Sequence, residues 1–184
     1  MKFRKPLTLM IISSALLLAG PMAMGTVFHT QEQALKIAFP GADRIEKKTY
    51  VLSPREAEEI ERLASASLDS RLVTIHTARK GEQLLGYAHI DIHTVRTRPE
   101  AVLIVLDPEG EAVMLRVLAF QEPLEYMPTQ GWYDLFAGRT RSGRIKVGYD
   151  IDAVTGATLT TRATVDAVRR MFAYYSVLIK KNSR

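Results

Sequence analysis

The chain has no cysteine. That absence excludes a disulfide framework, a cysteine-ligated iron–sulfur cluster, c-type haem attachment, a lipidated cysteine and a thiol nucleophile. Any electron chemistry therefore needs an organic cofactor or a metal held by other ligands. There is no Gly-x-Ser-x-Gly elbow, no Walker loop and no dinucleotide fingerprint, and His29 and His76 have no evident nucleophile partner. A hydrolase, a phosphate-loop enzyme and a self-sufficient nicotinamide enzyme are thereby disfavoured. Neither an internal repeat nor a low-complexity linker is present. Acidic residues are missing from the N-terminus as far as Glu32, while Lys2, Arg4 and Lys5 lie there. The formal charge of +5 is inflated by those three, and the rest of the chain carries 22 basic against 20 acidic residues. Arg139, Arg141, Arg144 and Lys146 form a local basic cluster, but no nucleic-acid recognition signature accompanies them.

What is there begins with an address. Met1–Lys5 is short and positive, Leu7–Gly20 is nearly unbroken apolar sequence, and Pro21 precedes Ala23-Met24-Gly25 with small residues at both ends. This is the layout of a secretory signal cut after Gly25. An uncleaved N-terminal anchor is the competing reading, although the run is short beside the about 17 residues a span needs. Both place residues 26–184 outside the cytoplasm.

The remaining 159 residues suit one domain. Thr30-Gln31-Glu32-Gln33 reads as a capping box opening a short helix that ends at Pro40-Gly41. Ser53-Pro54-Arg55-Glu56 repeats the device, and Ala57, Ile60 and Leu63 then line one face of a helix stopping near Ser67. From Leu72 the period changes. Leu72–Ala78, Leu84–Val95, Ala101–Leu106 and Ala112–Phe120 read as strands, with Asp107-Pro108-Glu109-Gly110 a type I turn between the last two. A loop rich in proline and aromatics covers Glu122–Phe136, and Arg144–Tyr149 reads as a further strand. Thr161–Lys180 is the clearest helix, with Val165, Val168, Phe172, Tyr175 and Ile179 on one face. The expected fold class is α+β: a single small domain, an antiparallel sheet flanked by N-terminal helices and a C-terminal helix.

Two constellations carry chemistry. His89, Asp91 and His93 alternate along a strand, so all three share a face. Two histidines and a carboxylate suit zinc or non-haem iron; the plainer reading is a solvated strand face with Ile90 and Ile92 inward. The second is Asp152-Ala153-Val154-Thr155-Gly156-Ala157-Thr158-Leu159-Thr160. It is a turn feeding a helix start, where free N–H groups and the helix dipole attract phosphate and a hydroxyl is well placed to be esterified.

That string resembles the flavinylation signature Asp-x-x-Ser/Thr-Gly-Ala-Thr-x-Ser/Thr of the FMN-binding domain family. The family includes peripheral flavin subunits of sodium-translocating NADH:quinone reductase and of the ferredoxin:NAD reductase complex. The resemblance implies that Asp152, Thr155, Gly156 and Ala157 form the recognition string, with Leu159 and Thr160 completing it. Thr158 is the implied acceptor of covalent FMN, attached by a separate FMN transferase using FAD and magnesium. Gly86-Tyr87 resembles the family's Gly-Tyr strand, giving a core signature over 86–170. Glu122-Pro123-Leu124 stands where many members have Glu-Thr-Pro-Gly beside the isoalloxazine ring, and departs from it. Two roles remain open for Trp132, stacking on a flavin or filling the core, and two for Glu122, holding the ring or carrying a solvated loop charge. The implied function is an exported electron carrier or subunit with membrane or periplasmic redox partners. A binding module of the same fold with loose or no flavin is the alternative.

Overall fold

The computed structural model describes residues 25–141, 143 and 145–183; the leader expected over 1–25 lies outside these except for Gly25. Both capping boxes form. Thr30 and Gln33 exchange side-chain-to-backbone hydrogen bonds of 3.2 and 3.0 Å and start α1 (Gln31–Ala38). Ser53 and Glu56 do the same at 3.3 and 2.9 Å and start α2 (Pro54–Ala64). Each box satisfies N–H groups that a helix start leaves without partners.

Six strands form one antiparallel sheet. They are β1 (Thr26–Val27), β2 (Arg44–Val51), β3 (Leu72–Lys80), β4 (Gln83–Thr94), β5 (Pro99–Leu106) and β6 (Ala112–Phe120). The order is β1-β6-β5-β4-β3-β2, a meander from β2 to β6 with β1 laid along the far edge. The β5–β6 turn closes as expected, with Gly110 N–H on Asp107 O at 3.2 Å. β1 and β2 were not legible in advance, and the reason is position. Both are edges, and β2 is mostly exposed, with Lys47 and Lys48 among its outward residues, as sheet edges often are.

The pleat sorts the core into two layers. Leu103 and Val105 of β5 point to one face, where Ala34, Leu35 and Phe39 of α1 cover them together with Leu118. Val102, Ile104 and Leu106 point to the other, beneath Ile60 of α2 and Val165, Val168, Met171 and Phe172 of α4 (Thr158–Tyr174). The two N-terminal helices thus lie on opposite faces. α4 begins three residues before the expected Thr161 and passes into a π turn over Tyr175–Ile179. The loop after β6 holds a 3-10 turn (Leu124–Tyr126) and the short α3 (Gln130–Tyr133). The strand expected over Arg144–Tyr149 is not formed among its described residues. Val147 makes one parallel bridge to Ile151, because the chain loops round through a tight turn there instead of extending. No helix among the described residues is long and apolar enough to cross a membrane.

Gly86 shows why the Gly-Tyr pair sits where it does. Its φ is +150°, and a Cβ there would lie 2.3 Å from Leu106 O on the neighbouring strand. Backbone cannot yield as a side-chain tip can. Gly86→Ala is expected to cost about 3 kcal/mol, from backbone strain plus the clash. Urea denaturation checks this; a loss within error would mean that β4 and β5 shift apart freely.

The β3–β4 seam is uneven. Residue pairing runs from Lys80↔Gln83 to His76↔Ala88, whereas β2–β3 pairing continues to Leu72 and β4–β5 pairing to Thr94. Beyond His76 a cleft opens between the strands, bordered by Leu72, Thr74, Ile90 and Ile92. There the His89 imidazole Nδ1–H donates across the gap to Thr74 O at 2.8 Å.

Candidate functional site

The segment after β6 is stitched to the β4–β5 hairpin by one carboxylate. Glu122 Oε1 accepts from Thr97 N at 2.7 Å, Arg98 N at 2.9 Å and Thr97 Oγ1 at 3.1 Å. The backbone N–H of Thr97, foremost among these donors, holds the Glu122 carboxyl below its ordinary range. Glu122 is therefore a buried anchor of the hairpin, not a solvated loop charge. Pro123 then opens the 3-10 turn, its carbonyl taking Tyr126 N–H at 2.9 Å.

From the other side comes the turn before α4. Ala157 N–H reaches Val154 O at 3.0 Å, and Gly156 adopts φ +83°, a left-handed conformation that β-carbon-bearing residues resist. Ala157 is 2% exposed, so the small side chain is enclosed by its surroundings. It also occupies the N-cap position with no side-chain cap. The first N–H to be satisfied within the helix is that of Thr161, on Ala157 O at 2.9 Å. The preceding N–H groups of Thr158, Leu159 and Thr160 are left facing outward, the arrangement that favours an anion.

The hydroxyls divide clearly. Thr160 Oγ1 donates to Tyr126 O at 2.6 Å and ties α4 to the 3-10 turn. Thr161 Oγ1 donates to Thr158 O at 3.0 Å. Thr158 is exposed, and among the described residues its hydroxyl has no partner. Thr158, Leu159, Thr160 and Gly156 line one wall of a cleft of about 130 Å³, with Val95, Arg96, Glu122 and Tyr126 opposite. Two residues with no role expected from sequence, Arg96 and Tyr126, lie here, the guanidinium 5.4 Å from the centre of the ring. The donor set fits the phosphate end of FMN, with unsatisfied N–H groups and an arginine for phosphate and a free hydroxyl for an ester. At about 130 Å³ the cleft takes only part of the molecule, and the rest would lie over its rim.

Not every expected residue reaches the cleft. Asp152 and Thr155 are exposed on the turn outside it, and Pro123 stands behind it. Trp132 is 6% exposed and packs edge-on against Tyr133 and Phe136, with ring centroids 5.1 and 5.3 Å away. Its indole N–H donates to Asp152 O at 2.7 Å. It fills the core, and from there it holds the turn that leads into α4.

The His89–Asp91–His93 face is not solvated; it is Ile92 that is 67% exposed. The polar face turns inward because distant partners neutralise it. Asp91 takes a two-pronged pair from Arg170 of α4, Nη2 to Oδ1 at 2.7 Å and Nε to Oδ2 at 3.0 Å. His93 bridges Asp91 at 2.9 Å and Glu100 at 3.0 Å, and Tyr133 O–H donates to Glu100 at 3.1 Å. Burial opposes the His93 cation, but these two carboxylates outweigh it and push its pKa up to about 9. Burial also opposes the Asp91 anion, yet His93 and Arg170 hold that carboxyl far below its usual range. With both nitrogens of His93 engaged, the metal reading loses its ligands, and among the described residues no group of three acidic, histidine or cysteine side chains is placed to hold a metal ion. Tyr133, which beside Trp132 could have stacked on a flavin, is instead buried against Glu100. The roles of Glu100 and Arg170 escaped sequence reading because their partners are distant in the chain.

Comparison with known proteins agrees with this geometry. Residues 97–173 match the FMN-binding domain, a span that runs from the Glu122-anchored hairpin through the turn at Gly156 into α4. The chain is also similar to the regulatory protein NosR of Stutzerimonas stutzeri, 29% identical over 146 residues and covering 70% of this chain. It spans only 20% of that relative's length. Over residues 97–173 the chain is thus similar to the FMN-binding domain, the family to which the string ending at Thr158 had pointed.

Proposed function

We propose that the chain is an exported electron carrier with FMN esterified through its phosphate to Thr158. The observation that supports this most is the single unpartnered hydroxyl at an uncapped helix start, opening on a cleft whose walls suit a flavin. When bound, FMN supplies reversible one- and two-electron chemistry. The protein's part is position and electrostatics. The first-turn N–H groups of α4 and the Arg96 guanidinium would hold the phosphate, Tyr126 and Leu159 would supply apolar contact to the ring, and Glu122 keeps the opposing hairpin in place.

A free threonine hydroxyl is a weak nucleophile, so attachment falls to an FMN transferase using FAD and magnesium. The new bond joins Thr158 Oγ to phosphorus as the hydroxyl loses its proton and AMP leaves the FAD donor. Residues 1–25 direct the domain to the outer side of the cytoplasmic membrane, as a cleaved signal or as an anchor. Electrons then pass between membrane or periplasmic redox proteins. Covalent attachment suits such a place, where a lost cofactor is hard to replace.

The test is the intact mass of the protein co-produced with an active FMN transferase and then denatured. A gain of FMN less one water, mapped to the peptide containing Thr158, is expected; an unmodified mass would sink the covalent assignment. Trp132→Phe keeps a ring in the core but removes the bond to Asp152 O. Flavin incorporation should then slow by about tenfold, roughly one hydrogen bond's worth. If it proceeds at the parental rate while Thr158 is still modified, the indole does not position the turn.

A further inference from the structure

We propose a second binding site, at the opposite end of α4 from Thr158, for a small phosphate-bearing molecule. A cleft of about 680 Å³ lies there, within the roughly 300–1,000 Å³ usual for small-molecule sites. About 28 Å of helix, at 1.5 Å per residue, separates Val177 in its wall from Thr158.

Three features give this cleft a ligand chemistry. The first is its charge. Arg62 from α2, Arg141 from the loop after α3, and Lys180 and Lys181 from the chain end converge on it, against only Glu59 and Glu109. Among the described residues none of these six takes part in an ion pair within 4 Å. The local excess is two positive charges, and a phosphate monoester brings about two negative ones near neutral pH. The second is that the neutral polar groups are already engaged. Tyr175 O–H donates to Pro108 O at 2.8 Å and Ser176 O–H to Phe172 O at 2.8 Å, which leaves recognition to the cations. The third is the wall itself. α4 departs from regular helix here, in the π turn over Tyr175–Ile179, an irregularity often found at functional sites. Tyr175 is seated against Gly110, where any β-carbon would come within 2.4 Å of its ring, and Tyr87 meets it edge-on at 5.8 Å. Tyr175, Leu63 and Val177 supply an apolar surface for the body of the ligand. The phosphate can belong to a free metabolite or to a lipid headgroup.

The test uses the full chain, with uridine monophosphate as probe and uridine as its uncharged match, titrated by calorimetry. Saturable binding of uridine monophosphate is expected, with uridine weaker by about tenfold or more. An Arg62→Ala/Lys181→Ala variant should weaken it by about tenfold, and Glu109→Gln, which removes a competing charge, should tighten it. Thr158→Ala should leave the affinity unchanged, which separates this site from the flavin cleft. Vesicles of phosphatidylcholine with and without phosphatidic acid are run in parallel, and retention by the phosphatidic acid vesicles alone assigns the phosphate to a lipid. Failure of both phosphate sources to bind, equal binding of uridine, or loss of binding in Thr158→Ala overturns the proposal.

Discussion

A Thr158→Ala chain, co-produced with the transferase and denatured, is expected to carry no flavin, whereas Thr158→Ser carries it at reduced yield. The reason is the division of hydroxyls around the start of α4. Thr160 and Thr161 are committed to Tyr126 O and Thr158 O, so neither is free to take over the ester. Thr155 lies beyond the left-handed Gly156 and does not line the cleft. Alanine is a better helix former than threonine, and the position is exposed, so the fold should be kept. Loss of flavin would then report the acceptor and not unfolding. In-gel flavin fluorescence and intact mass read the outcome together. Flavin surviving denaturation in Thr158→Ala would move the attachment point elsewhere.

The second large effect concerns stability. Arg170→Met leaves Asp91 buried at 4% exposure with its two-pronged partner gone, and such a loss costs about 3–5 kcal/mol. Urea denaturation of the variant measures it; a cost below about 1 kcal/mol would mean that water reaches Asp91 freely. The same network sets a pH dependence whose direction can be worked out. His93 binds its proton more tightly in the folded protein, with a pKa near 9 against 6.5 for the free side chain. Its contribution, on the order of 3 kcal/mol, is complete below pH 6.5 and is lost as pH rises through 9. His89 and His76 act oppositely: burial lowers both, so stability falls as pH drops below 6.5 and the unfolded chain takes up their protons. Asp91 is lowered from 3.8, so its contribution is present above that pH and is lost in stronger acid. Stability should peak near pH 6.5, and His93→Gln should remove the alkaline decline. An unchanged alkaline limb in His93→Gln would assign that decline to another group.

How far the sequence foretold this depends on the range of the interactions involved. Thr30, Ser53 and the Asp107–Gly110 turn act over three or four residues, and all formed where the local pattern placed them. The turn into α4 was legible because Gly156 and the hydroxyls that follow it mark a helix start, which is again a local pattern. The face of β4 was misread because its polar residues are neutralised by Glu100 and by Arg170, the latter 79 positions from Asp91. Trp132 was ambiguous for the same reason: only the folded chain brings Asp152 O against its indole. β2 carries too little apolar sequence to announce itself and is recruited by pairing with β3.

The uneven seam between β3 and β4 has a mechanical meaning. For about half its length the two-stranded leaf β2–β3 is fastened to the rest of the sheet by backbone rungs. Over the remainder the fastening passes to a side chain, His89 on Thr74 O, while the neighbouring Asp91–Arg170 pair ties β4 to α4. Backbone rungs hold at any pH, and the His89 N–H keeps its hold on Thr74 O in either charge state, whereas the Asp91 carboxylate loses its attraction for Arg170 once protonated. The domain is therefore stiff at one end of this seam and compliant at the other. Arg170 of α4 meets Asp91 on the β4 side of the compliant stretch, and Thr158 begins the same helix.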